Sequence, residues 1–275
     1  MSLTSFVSLT EIKERLNKEY DLPAMKCSCQ LRVQPRTKKY SLVGTAFDYL
    51  MRFWIKRNNP QAEVKSWVAE TAVEITLPML GVPASVTKTA KRILREAKQT
   101  YSEYLETGDV TDEIICATVH LAQLDPIYRA LYVDPNLGIV EQPVIDELKE
   151  LLSLVNPKYF LAKKYCALNP TFGDASSLVG GADADLIIDD VLIDIKTTQS
   201  GKLDIGQFHQ LIGYYILNHI GRINGKHNIR INQLGVYYSR YGELLTFPSA
   251  TLLNDRFPQF VEWFNNKAVE AFSEQ

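Results

Sequence analysis

Residues 181–198 read GADADLIIDDVLIDIKTT. Two apolar, β-branched runs flank Asp189-Asp190, the composition of a hairpin closed by a two-residue turn. A turn of that length fixes the register: Ile188 faces Val191, Leu186 faces Ile193 and Asp185 faces Asp194. Because side chains alternate along a strand, Asp183, Asp185, Asp194 and Lys196 are expected on one face of the sheet, with Asp183 opposite Lys196. Leu186, Ile188, Val191, Ile193 and Ile195 then turn the other way, into a core. Opposed residues have Cβ atoms roughly 4.5–5.5 Å apart, where two carboxylates destabilise the pairing unless a cation sits between them.

Two hard carboxylates at that separation suit Mg²⁺ or Mn²⁺, which take oxygen ligands and retain water for a substrate to displace. An ammonium beside them can orient or deprotonate an attacking water and offset charge building on a phosphate. The chemistry this pattern points to is hydrolysis of a phosphodiester. The other reading of the hairpin is that Asp183 simply pairs with Lys196 while the remaining acids are solvated at a sheet edge, and a longer turn would shift the register altogether.

The chain around the hairpin has 275 residues, 46% hydrophobic and 23% charged, enough for one elaborated domain or two with an ample core. No run approaches the roughly 18 apolar residues of a membrane span, and MSLTSFVSLTEIKERL lacks the continuous apolar region of a signal peptide. A cytoplasmic protein without membrane contact is therefore expected. Cys27, Cys29, Cys116 and Cys166 are scattered, with one CSC pair and no CxxC, so free thiols are the expectation. The net charge is −2 but unevenly spread: residues 1–60 hold eleven Lys/Arg against five Asp/Glu, and the remainder nineteen against twenty-seven. In SVTKTAKRILREAKQ, residues Lys88, Lys91, Arg92 and Arg95 recur at helical spacing and form a stripe able to follow a DNA backbone, or simply a solvated helix face.

Periodicity predicts helices over 9–20, 43–57, the basic segment and 110–133, the last interrupted at Pro126. Residues 134–141 are turn-rich. A helix over 142–155, an extended stretch near 163–172 and the Gly/Ser loop DASSLVGG lead into the hairpin. A helix over 203–219, strand-like QLGVYYSR, a turn at Tyr241-Gly242, strand-like ELLTF and an aromatic-rich helix over 255–272 complete the chain. This order implies an α/β fold with a mixed sheet flanked by helices, following a mostly helical N-terminal part. In the helix over 203–219, Ile205, Phe208, Ile212 and Tyr215 mark a buried face, while Gln207, Gln210, Tyr214 and Asn218 gather on another.

Together these residues resemble the PD-(D/E)XK nuclease superfamily, and within it the RecB-type branch that includes the CRISPR-associated iron–sulfur exonucleases. That pattern runs GxxD and apolar residues, then (D/E)xK on the next strand, then QxxxY on the following helix. Here Asp185-Leu-Ile-Ile, Asp194-Ile-Lys196 and Gln210 to Tyr214 occur in that order. The glycine of GxxD falls on Ala182 if Asp185 is the ligand; reading Gly180 to Asp183 restores it but moves the acid, and Asp185 is preferred because it opposes Asp194. The resemblance implies a restriction-endonuclease-like core over 141–275, with the helical region 1–140 covering the site or guiding DNA. It also implies Mg²⁺ or Mn²⁺ at Asp185, Asp194 and the Ile195 carbonyl, catalytic assistance from Lys196, and support from Gln210 and Tyr214. GTAFDYL places Asp48 where the branch has a histidine, so Asp48 either adds a metal ligand or pairs with Arg52 one turn later. The clustered cysteines of the iron–sulfur members are missing, and no such cluster is predicted.

The function that follows is metal-dependent cleavage of DNA, with exonuclease action favoured. The alternatives are a catalytically silent nucleic-acid-binding or assembly protein on the same fold, and an enzyme acting on RNA or a nucleotide. His120, His209, His219 and His227 show no nucleophile partner spacing, which argues against serine or cysteine hydrolysis.

Overall fold

The computed structural model describes residues 2–273. Its strands form one mixed sheet whose spatial order follows the chain: β1 (Glu63–Val64), β2 (Cys166–Leu168), β3 (Leu186–Ile188), β4 (Val191–Lys196), β5 (Gln233–Tyr238) and β6 (Glu243–Pro248). Pairs β1–β2 and β4–β5 are parallel and the others antiparallel. The helices are α1 (Leu3–Val7), α2 (Thr10–Glu19), α3 (Tyr40–Asn58), α4 (Val68–Thr71), α5 (Leu77–Met79), α6 (Ala84–Thr107), α7 (Asp112–Ala130), α8 (Gln142–Ser153), α9 (Ala175–Leu178), α10 (Ile205–Gly221) and α11 (Phe257–Ser273). A π-helical turn, Ala72–Thr76, joins α4 to α5. No helix among the described residues is long and apolar enough to cross a membrane.

The hairpin has the register that its turn length requires, Leu186 with Ile193, Ile187 with Leu192 and Ile188 with Val191. Asp189 adopts a φ of 55°, a left-handed conformation that aspartate enters more readily than bulky residues do. Its carboxylate accepts backbone N–H groups from Lys163, Lys164 and Tyr165 at 3.0, 2.7 and 3.1 Å, tying the turn to the segment that precedes β2. The alternation then sorts the sheet's two faces. Leu186, Ile188, Ile193 and Ile195 join a core built with α3, α6, α7 and α8, whereas Ile187, Leu192, Leu234 and Val236 join a second core with α1, α2, α10 and α11. Since β4 and β5 are parallel, the chain must cross over between them, and α10 is that crossover.

Two expectations are corrected. Asp183 does not lie opposite Lys196: ladder pairing stops at Leu186, and Asp183 instead bridges Thr171 and accepts a hydrogen bond from Asn169 Nδ2 at 3.1 Å. Pro126 does not interrupt its helix, since α7 runs through it to Ala130. The residues around it, Leu121 to Asp125 and Ile127, are buried, and that packing outweighs the one N–H that proline removes. In addition, α10 is buried almost all round, including Tyr214 and Asn218 on its polar side, because α1, α9 and α11 pack over it.

A buried ion pair joins the turn between β5 and β6 to α8. Arg240 Nη2 donates to Glu147 Oε1 at 2.6 Å with both side chains 1% exposed, and Arg240 also reaches the carbonyl oxygens of Val33 and Thr197. The second Glu147 oxygen accepts the Arg36 N–H at 2.7 Å. Glu147→Ala leaves a guanidinium buried without its counter-charge and is expected to cost about 3–5 kcal/mol. Urea denaturation measures this directly, and a loss below about 1 kcal/mol would contradict the assigned role.

Candidate functional site

Where β4 leaves the sheet it carries Asp194, Ile195 and Lys196, and three elements close over this end. The first is the segment entering β3: Asp185 Oδ2 accepts the Ile195 N–H at 2.6 Å, substituting a carboxylate for the next rung of backbone ladder. The second is α10, whose first turn is fixed by a capping box in which Asp204 accepts the Gln207 N–H and Gln207 accepts the Asp204 N–H. The third is α3. Its Gly44 lies beside Thr197, just past β4, where an added Cβ would make ordinary van der Waals contact at 3.9 Å.

Lys196 is the hub. Its Nζ lies 2.7 Å from Asp194 Oδ2 and donates to Gln210 Oε1 at 3.0 Å. Gln210 Nε2 donates in turn to the Tyr214 hydroxyl at 2.9 Å, as residues one helical turn apart can, and the Tyr214 ring stacks on Phe172. The ammonium is thus held at two points while its side chain stays 25% exposed; Asp194 is 2% exposed. Asp48 pairs with Arg52 at 2.7 Å, and the guanidinium lies over the Tyr49 ring, 4.1 Å from its centre. Tyr49 donates to Asp125 Oδ1 at 2.7 Å, and Arg129 approaches the other Asp125 oxygen at 3.8 Å.

The electrostatics show why these groups belong to one site. Burial pushes Asp185 well above the usual carboxylate range, and Asp194 and Asp48 push it further, against Lys196 and the Ile195 N–H. Asp194 is raised by burial against the pull of Lys196, and Asp48 by burial and Asp183 against Arg52. Burial pulls Lys196 down, but Asp194 and Asp185 more than compensate and hold it above its ordinary value. Burial also takes Asp125 up to about 6. With Arg52 paired to Asp48 and Arg129 beside Asp125, Asp185 and Asp194 share one lysine, an excess of negative charge that a cation relieves.

Of the residues singled out in the sequence, Asp185, Asp194, Ile195, Lys196, Gln210, Tyr214 and Asp48 come together here. Asp48 makes the pair with Arg52, one of the two readings open for it, and its charge also raises Asp185. Lys88, Lys91, Arg92 and Arg95 stand apart on α6, exposed along a groove of about 730 Å³, with Arg92 paired to Glu96. Tyr49, Asp125 and Arg129 were not singled out; the i,i+4 spacing of Asp125 and Arg129 was the available signal, but only the fold brings that pair to α3. No family model matches the chain, and neither does any curated protein or solved structure.

As for a metal, no group of three or more His, Cys, Asp or Glu side chains among the described residues is arranged to hold one. One buried carboxylate oxygen, Asp48 Oδ1, nevertheless has no hydrogen-bond partner among the described residues, and Asp194 Oδ2 is engaged through its ion pair with Lys196 alone. A hard, desolvated oxygen on Asp48, close enough to Asp185 to act on its charge, as Asp194 also is, fits an ion that takes part of its ligands from water.

The raised Asp185 has a testable linkage. A carboxyl whose folded pKa lies above its unfolded value favours the folded state at low pH, and that contribution is lost as the pH rises through the folded value. In the absence of metal, Asp185→Asn should therefore melt above wild type at pH 8, with the difference shrinking toward pH 4, near the ordinary carboxylate value. A variant less stable than wild type at pH 8 would show that Asp185 supports the fold as an ionised group.

Proposed function

We propose that the protein is a metal-dependent nuclease that hydrolyses DNA, an exonuclease of the RecB-like branch of the PD-(D/E)XK superfamily, with a restriction-endonuclease-like core. The observation that carries this reading is the buried Asp194 and half-buried Asp185 at the end of one hairpin, with Lys196 held between Asp194 and Gln210. A pair of desolvated like charges is costly to keep, and an ion pair meant only for stability needs one acid per lysine.

Mg²⁺ or Mn²⁺ would be held by Asp185, Asp194 and the Ile195 carbonyl, with Asp48 as a further oxygen donor. When bound, such an ion supplies Lewis acidity toward a phosphate oxygen and eases ionisation of water. The remaining work falls to the chain. Lys196, restrained by Asp194 and Gln210, positions the attacking water and meets the charge that gathers on the phosphate. Gln210 is itself fixed by Tyr214, so the ammonium has little freedom to swing away. Water adds to phosphorus on the side opposite the leaving oxygen and gives up a proton to solvent, the P–O bond to the leaving oxygen breaks, and the departing alkoxide takes a proton from solvent. Arg52 offsets the charge of Asp48 and limits the repulsion that an incoming phosphate meets. The exposed stripe of Lys88, Lys91, Arg92 and Arg95 would attract the DNA backbone beyond the site.

End-labelled single- and double-stranded DNA and a closed circle, incubated with Mg²⁺, Mn²⁺ or EDTA, test the proposal. Cleavage should require metal and fall at least 100-fold in Lys196→Ala, with the melting temperature of that variant within a few degrees of wild type. Tight DNA binding without cleavage under every condition would favour a silent binding protein instead.

A further inference from the structure

The C-terminal end of α7 carries a patch that the proposed chemistry leaves unused. Within five residues, Tyr128, Leu131 and Tyr132 are 51%, 65% and 53% exposed. Arg129 stands among them with its side chain 54% exposed, and among the described residues its guanidinium makes one ion-pair contact, Nε to Asp125 Oδ2 at 3.8 Å, too long for a hydrogen bond. Tyr128 and Arg129 follow Asp125 by three and four residues and so share its side of the helix. Leu131 then ends α7 in the left-handed region, at a φ of 52°, and the Tyr132 N–H folds back onto the Pro126 carbonyl at 3.2 Å.

This patch adjoins the acid site. From Asp125 the contacts run to the Tyr49 hydroxyl, from the Tyr49 ring to Arg52, and from Arg52 to Asp48, each within hydrogen-bonding or stacking distance. Burial dominates the titration of Asp48 and Asp125, and Arg129 opposes it at both. Asp48, Asp185 and Lys196 are partly exposed, and so is Arg129 at the far end of this chain of contacts.

An exposed guanidinium with no hydrogen bond among the described residues, within three residues of two exposed phenol rings, matches a ligand that alternates anions with flat apolar faces, which is a nucleotide chain. In a duplex the base faces are stacked on one another and hidden from a protein ring; in an unpaired strand they are free to stack on tyrosine. We infer that Tyr128, Arg129 and Tyr132 hold unpaired nucleotides at the rim of the site, Arg129 on a phosphate and the tyrosines against bases, so that the strand entering the site is single-stranded. This rests on the nuclease reading above.

Fluorescence anisotropy in EDTA, with labelled oligothymidylate, a blunt hairpin duplex and a chain of abasic deoxyribose phosphates, tests the inference. Oligothymidylate should bind at least tenfold more tightly than the other two. The Tyr128→Ala/Tyr132→Ala variant should bring it down to the level of the abasic chain without changing duplex binding, while the double Phe variant keeps wild-type affinity. Arg129→Gln should weaken oligothymidylate and the abasic chain alike. Unchanged oligothymidylate binding in a folded double Ala variant, or equal wild-type affinity for all three probes, overturns the platform and leaves the patch to a protein partner. If wild type still cleaves DNA with metal in that case, the nuclease reading stands and this inference alone fails. Neither binding nor cleavage of any nucleic acid would remove both.

Discussion

The arrangement turns on the desolvation of like charges. Asp185 and Asp194 leave water together at the end of a hairpin, and their mutual repulsion grows as the surrounding dielectric falls. Lys196 balances part of that charge and is itself drawn toward Asp194, which keeps it ionised despite burial. The site is tolerable only because the rest of the protein holds it: Gln210 and Tyr214 fix the lysine from α10, and the Ile195 N–H engages one oxygen of Asp185. Free energy gained in the two apolar cores offsets the cost at this end of the sheet.

That requirement explains the two-sided architecture. A half-exposed hairpin would solvate its acids and lose the electrostatic tension between them. Here Ile187 and Leu192, on the same face as Asp185 and Asp194, are covered by the layer containing α10, while Ile188 and Ile193 are covered by the layer containing α3. The same two helices supply the groups around the acids, so the packing that buries the hairpin also delivers Gln210, Tyr214, Asp48 and Arg52 to it. Arg240, by bonding to Glu147 and to the Thr197 carbonyl just past Lys196, ties the end of β4 to α8.

Much of this was legible because the deciding signals are local. Turn length determined the register around Asp189-Asp190, alternation sorted the hairpin's faces, and helical spacing joined Gln210 to Tyr214 and Asp48 to Arg52. What was not legible depends on partners far away in the chain. Asp183 left the expected ladder because Thr171 and Asn169 compete for it, and α7 passed through Pro126 because buried neighbours on both sides outweigh one missing hydrogen bond. The two-residue strand β1 is too short to show a period and exists by pairing with β2 across the sheet edge. Nothing in the sequence marks Glu147 as the partner of Arg240, or Tyr49 as the link between Asp48 and Asp125, since those contacts exist only once the layers have closed.

The central claim is that the buried acids form a divalent-cation site, and a thermal shift titration with Mg²⁺ tests it most directly. An ion that binds only the folded state raises the melting temperature in proportion to the logarithm of its concentration above Kd. Wild type should show such a rise, and Asp185→Asn and Asp194→Asn should lose it. The same rise in either variant as in wild type, or none in wild type, would contradict it.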